Sequence, residues 1–128
     1  MPHRDQRRYR PVGSQDMTIL VAVTDDSPGA AALEVALAEG AVRGVGVVAL
    51  NLRPTPLEVP DGATVIDRVL GVEDGDAVLE RLEADADLDL LVIGVRRRSP
   101  VGKAFLGDVA QRLLLEAEVP VLAVKDGP

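Results

Sequence analysis

The chain is 128 residues long, the size of one domain with a single core. It has no cysteine, which excludes disulfides, thiol nucleophiles and thiolate metal sites and suits a reducing, cytoplasmic compartment. A net charge of −7 and only 2% aromatic residues argue against a nucleic-acid partner, and no apolar run approaches the length of a membrane span.

Residues 1–16, MPHRDQRRYRPVGSQD, stand apart from the rest. They hold Arg4, Arg7, Arg8 and Arg10, two prolines and few apolar side chains, with no apolar signal core. Such a segment buries too little surface to offset its ordering entropy. The expectation is a disordered basic extension, lying upstream of a true start at Met17; the other reading is a basic arm for an acidic partner. The segment carries four of the 14 basic and two of the 21 acidic residues, so the domain expected over 17–128 stands at −9.

From Met17 the pattern alternates. TILVAVT (18–24) is β-branched and almost wholly apolar, as in a strand buried on both faces. A helix follows to about residue 42, with Ser27 suited to the N-cap and Pro28 to the first helical position. VGVVALNL (45–52) reads as a second buried strand. TVIDRVL (64–70), with Asp67 and Arg68 inside it, fits a sheet edge. Only the eleven residues RPTPLEVPDGA separate these two strands, and three are proline, so an extended connection or at most one helical turn is expected. DGDAVLERLEADA (74–86) places Val78, Leu79 and Leu82 at helical spacing. LDLLVIG (88–94) is a further buried strand. DVAQRLLLEAE (108–118) is helical with Val109, Leu113 and Ala117 on one stripe, and VPVLAV (119–124) is a closing strand. Strands alternating with helices imply parallel βαβ units in a three-layer α/β/α sandwich with a mostly parallel five-stranded sheet.

In such a sheet ligands bind beyond the carboxyl ends of the strands, at the switch point. Two segments arrive there. One is Thr24, Asp25, Asp26 and Ser27; the other is GVRRRSPVGKAFLGD (94–108), a basic glycine-containing loop feeding a helix. The second suits an anion, or else is a solvated turn. Asp25 and Asp26 read as a helix cap beside a solvated neighbour, Asp108 as the N-cap of its helix, and Glu83, Asp85, Asp87 and Asp89 as a solvated helix end. The one histidine, His3, lies in the basic tail, so neither a Ser-His-Asp machine nor a two-histidine metal site can be assembled in the core.

From about Thr18 to Lys125 the sequence resembles the universal stress protein family, on ILVAVTDDS and on DLLVIGVRRRSPVGKAFLGDVAQRLLLEAEVPVLAVK. The resemblance implies a Rossmann-like fold of the adenine nucleotide alpha hydrolase-like kind. Nucleotide-binding members are similar in carrying G-x2-G-x9-G-[S/T] after the fourth strand. Gly94 matches the first glycine and Gly107 the third, while Arg97 replaces the second glycine and Asp108 the Ser/Thr. Gly102 is an additional glycine, and Arg96, Arg97 and Lys103 supply cations. Thr24 and Asp25 match the end of the family's first strand, where an acid helps hold adenosine, and Leu52 would lie near the adenine. The implied function is a small cytoplasmic stress-response module binding ATP, ADP or AMP, with Mg²⁺ if ATP. The alternative is a member without a cofactor that has lost tight ATP binding and acts as a dimeric interaction module. The family's last strand commonly pairs in a homodimer, which assigns residues 119–125 to that role. No catalytic residue is expected; an enzyme, at most a slow nucleotide hydrolase, ranks last. A phospho-receiver domain fits poorly, because no phosphoacceptor Asp ends a middle strand.

Overall fold

The first apolar run forms β1 (Thr18–Val23) in the computed structural model, which describes residues 17–96 and 107–125. The expectations for the basic tail and for residues 97–106 lie outside those residues. α1 (Ser27–Arg43) follows, and its cap falls one residue earlier than the sequence suggests. Asp26, in extended conformation, accepts a hydrogen bond from the Gly29 N–H at 2.9 Å, so Ser27 is already helical. A carboxylate one residue before the serine wins because it satisfies a free amide and adds negative charge at the positive helix end. Gly44, left-handed at φ 70°, closes α1. The chain then forms β2 (Gly46–Asn51), β3 (Ala63–Asp67), α2 (Asp74–Ala84), β4 (Leu88–Val95), α3 (Asp108–Glu116) and β5 (Val121–Lys125). β3 stops at Asp67, earlier than residue 70, because Arg68 turns to other partners. β5 begins at Val121, after Pro120, whose carbonyl accepts from the Leu91 N–H.

All five strands are parallel, in the order β3-β2-β1-β4-β5. The chain winds outward from β1 to β3, returns to β4 on the far side of β1, and winds outward again. Right-handed crossovers then force the connections onto opposite faces. α1 covers one face, where Ile19, Val21, Ala49 and Val92 pack on Ala32 and Ala36. α2 and α3 cover the other, where Leu20, Leu50, Leu91 and Ile93 meet Val78, Leu82, Ala110 and Leu113. Ala32, Ala36 and Gly40 recur every four residues and let α1 lie close; a Cβ on Gly40 would stand 2.6 Å from Val47 Cγ2.

The proline-rich connection from β2 to β3 contains no helix, as expected. It lies on the α1 face, where Leu57 and Val59 supply the apolar cover that a crossover helix ordinarily gives. Its start is held by Asn51, a buried polar side chain. Asn51 Nδ2 donates to the Thr55 carbonyl at 2.9 Å and to Asp67 Oδ1 at 3.0 Å, and Oδ1 accepts from the Arg53 N–H at 3.1 Å. One amide thereby ties β2, the connection and the end of β3 together.

In α3 the buried stripe is Ala110 and Leu113 rather than one beginning at Val109, which is 37% exposed. Leu113→Ala, a truncation at a fully enclosed site, is expected to cost about 2–5 kcal/mol in urea unfolding. Leu115→Ala, two residues on but 77% exposed, should stay within about 0.5 kcal/mol.

Candidate functional site

The direction of winding reverses between β1 and β4, and a cleft of about 230 Å³ opens there beyond their carboxyl ends. The N-termini of α1 and α3 reach it, and Asp74, the first residue of α2, lines it as well. α1 crosses close over β4, because Gly94 has no side chain: a Cβ there would lie 2.1 Å from the Pro28 carbonyl oxygen. Gly29 is under the same constraint, its Cβ direction ending 2.2 Å from the Thr24 carbonyl oxygen. Gly94 is thus required first for seating α1, whatever it then allows a ligand to approach.

The two helix ends differ in how their amides are used. α1 is capped by its own carboxylate, since Asp26 Oδ1 accepts from the Gly29 N–H and, at 2.6 Å, from the Thr24 hydroxyl. α3 has no side-chain cap among the described residues. Gly107 occupies its N-cap position at φ 83°, a conformation that favours glycine, and Asp108 is the first helical residue rather than the cap. The first-turn amides of α3, like those of α2, whose N-cap Glu73 makes no side-chain hydrogen bond, are thus uncapped among the described residues, the arrangement that attracts anions. Asp108 interacts favourably with the same helix end and so competes with an incoming anion there.

Of the residues singled out from sequence, Thr24, Leu52, Gly94, Arg96, Gly107 and Asp108 line the cleft. Leu52 is buried, its N–H donating to the Val23 carbonyl at 3.0 Å, which brings the end of β2 beside β1. Arg96 is exposed and makes no ion pair among the described residues. Asp25 is not on the cleft wall. It is the solvated neighbour, 64% exposed and 3.8 Å from Arg53 Nε, while the cap Asp26 faces the cleft. Arg97, Gly102 and Lys103 lie outside the described residues, although the chain leaves the described part at Arg96 and returns at Gly107, both on the cleft.

Asp74 is a wall residue that sequence reasoning missed. One arginine fixes it directly, and a second holds its helix. Arg68, just past β3, pairs with Asp74 at 2.6 Å, donates to the Leu52 carbonyl at 3.4 Å and also to the Val72 carbonyl. Arg112 on α3 reaches Asp76 at 2.5 Å and Glu116 at 3.5 Å. The hydrogen bond to Asp76 raises the Arg112 guanidinium above its ordinary pKa, against the opposing effect of desolvation. Gly75 leaves room for this contact; its Cβ would lie 2.9 Å from an Arg112 nitrogen. Exposed pairs of this kind contribute at most about 1 kcal/mol each. Their effect is positional: they hold the start of α2 against α3 and keep Asp74 at the cleft. Its first-turn acids, beside a later arginine, were the available signal, but nothing local shows that α2 begins there.

Among the described residues the cleft combines uncapped amides and the cation of Arg96 with three carboxylates, Asp26, Asp74 and Asp108. Among the described residues no group of three or more acidic or histidine side chains is arranged to hold a metal ion. Amides suit one anionic group, and carboxylates suit hydroxyl donors such as those of a sugar.

The chain is thus a doubly wound parallel α/β domain with a cleft at its switch point. Comparison with known proteins makes this specific. The model of the Universal stress protein family matches residues 58–125, more than half of the chain, and the protein belongs to that family. A universal stress protein of Mycolicibacterium smegmatis (strain ATCC 700084 / mc(2)155) is 53% identical over 60 residues, covering 47% of this chain and 45% of that relative. The match therefore spans less than half of the relative's length. The structure of a universal stress protein from Archaeoglobus fulgidus superposes with a TM-score of 0.66 at 28% identity, over 85% of this chain and 98% of that one. A universal stress protein from the same organism, solved in complex with dAMP, gives 0.59 at 23% identity, over 88% and 100%. A family member from Burkholderia pseudomallei gives 0.55 at 21% identity, over 88% and 98%. The last two likenesses concern the fold.

Gly94→Ala is expected to displace the first turn of α1 and cost roughly 1–3 kcal/mol, as overpacking does. Amide spectra should show changes over Thr24–Ala30 and Gly94. Unchanged spectra and stability would mean that α1 does not rest on Gly94.

Proposed function

We propose that the protein is a nucleotide-responsive stress protein whose cleft takes an adenine nucleotide, with AMP favoured over ATP. One observation carries this reading: the N-terminus of α3, uncapped among the described residues, and Arg96 share a cleft with Asp26, Asp74 and Asp108. Backbone amides offer a place for one phosphate, and the carboxylates offer acceptors for ribose hydroxyls. A longer phosphate chain brings more negative charge toward Asp108. Two unit charges about 4 Å apart repel by roughly 1 kcal/mol in water and about 4 kcal/mol at an effective dielectric of 20. Each 1.4 kcal/mol is about a factor of ten, so the terminal phosphate is penalised by about one to three orders of magnitude. The Archaeoglobus fulgidus protein solved with dAMP, also a monophosphate, supports the choice of ligand class.

The role is binding rather than turnover. The only histidine, His3, lies outside the described residues, and the Thr24 hydroxyl donates to Asp26, a carboxylate already used by the Gly29 N–H as the cap of α1. Cytoplasmic residence goes with this reading and with the lack of cysteine; among the described residues no helix is long and apolar enough to cross a membrane.

A second reading, a homodimeric interaction module, is favoured by β5. That strand is a sheet edge, and Leu122 is 36% exposed on it. The two readings are compatible, since β5 lies outside the cleft wall. Light scattering at micromolar concentration is expected to give twice the 13.5 kDa chain mass, falling to one chain with Leu122→Lys. A monomeric wild type removes this reading.

Calorimetric titration with AMP, ADP and ATP, with and without Mg²⁺, tests the ligand assignment. Affinity is expected to fall from AMP to ATP, and Asp108→Ser should tighten ATP by about tenfold or more while changing AMP little. Stoichiometric ATP retained by the purified wild-type protein, or no effect of Asp108→Ser, overturns it.

A further inference from the structure

Arg43, Arg53, Arg68 and Arg112 each have a carboxylate within ion-pair distance, as expected in so acidic a domain. Arg81, in the last turn of α2, does not. It is half-buried, its Nε–H is shielded from solvent, and that donor meets no acceptor among the described residues. The side chain lines a groove of about 280 Å³ between α2 and the end of β3. The remaining walls are mainly apolar: Ile66 on β3, Val69 and Val72 on the loop after it, and Ala77 and Ala84 on α2, with Glu80 at the rim.

The groove runs beside a free sheet edge. β3 pairs with β2 on one side and, among the described residues, with no strand on the other. Its outward backbone groups are therefore available to a further strand. The loop that leaves it carries Val69 and Leu70, which are 71% and 91% exposed. Val69 is thus a large aliphatic side chain held in water on the wall of an apolar groove, with Leu70 beside it in sequence.

We infer that the β3 edge and the Arg81 groove form a docking surface for an extended segment of another protein, one that presents aliphatic side chains and a carboxylate on the same face. The segment adds to β3 as a sixth strand. Alternate residues of a strand point to one face, so residues at i and i+2 both face α2. An aliphatic residue enters the groove between Ile66 and Ala77, and the carboxylate at a neighbouring alternate position accepts from Arg81. Charge complementarity selects this occupant. The groove offers one desolvated cation and no anion beyond the exposed rim residue Glu80. The chain's own segment 1–16 is arginine-rich and has the wrong sign for Arg81. A second copy of the chain is assigned to the opposite edge, β5. The docking surface is separate from the nucleotide cleft and does not depend on how that cleft is occupied.

The test uses the full-length ¹⁵N-labelled protein and a defined probe, the acetylated and amidated heptapeptide Lys-Val-Thr-Val-Thr-Glu-Thr, against the same peptide with Gln in place of Glu. Saturable shifts are expected at residues 63–72 and 77–84, with the Glu peptide binding at least about fivefold more tightly, as a charge-assisted hydrogen bond implies. Arg81→Met keeps the aliphatic stem and a good helix former, so its thermal midpoint should match wild type while the two peptides become equivalent. Absence of saturable shifts at millimolar peptide, equal affinity for the two peptides on wild type, or shifts confined to the nucleotide cleft or β5 overturn the inference. So does a wild-type dimer that becomes monomeric with Thr64→Lys, which would give the β3 edge to a second copy.

Discussion

The contact between Gly94 and the first turn of α1 is the constraint on which the ligand end of the molecule depends. β4 could carry a side chain at that position only if α1 moved away from the sheet, because the Pro28 carbonyl already occupies the space. With α1 seated there, Asp26 and Thr24 sit at the rim of the β1–β4 gap and the cleft acquires one wall. Gly107, positive in φ at the start of α3, sets the other. The two glycines that most resemble a phosphate-binding signature therefore have backbone roles independent of phosphate. A family member could lose its nucleotide and still keep both.

What the cleft can hold is decided by charge more than by shape. The acids do not arrive from one loop. Asp26 comes from the cap of α1, Asp108 from the start of α3, and Asp74 from the start of α2, where the Arg68 and Arg112 pairs hold it. Arg68 also reaches the backbone after β2 and the loop after β3, so the far side of the sheet is connected to the cleft wall through a single guanidinium. The cleft is in this sense a product of all three helices.

Most of the architecture was legible in the sequence because buried parallel strands leave unbroken aliphatic runs, and TILVAV, VVALN and LDLLVIGV have few other uses. The helix starts were legible only to within a residue. Ser27 and Asp108 are good caps by type, but Asp26 and Gly107 hold those places, since capping is decided by backbone conformation that neighbouring acids and glycines contest. The Asp25–Asp26 pair was read correctly as a cap and a solvated neighbour. Which of the two lines the cleft depends on the β1–α1 turn, and there it is Asp26, whereas the family resemblance singled out Asp25. The Asn51 hub was invisible because its key partner is distant in sequence, Asp67 lying 16 residues from Asn51, and Asp74 was missed because its place on the cleft depends on where α2 packs. Arg81 carries no sequence signal at all, as an arginine in the last turn of a helix is ordinary until its surroundings are known.

Chemical-shift mapping of AMP on the ¹⁵N-labelled protein tests the central claim most directly, because it locates the ligand as well as detecting it. Saturable shifts should cluster at Thr24–Gly29, Leu52, Gly94 and Gly107–Ala110, the two helix ends and the strand end that meet at the cleft. Binding that leaves the α3 N-terminus undisturbed, or shifts confined to the β3 edge, would contradict the assignment of that cleft as the nucleotide site.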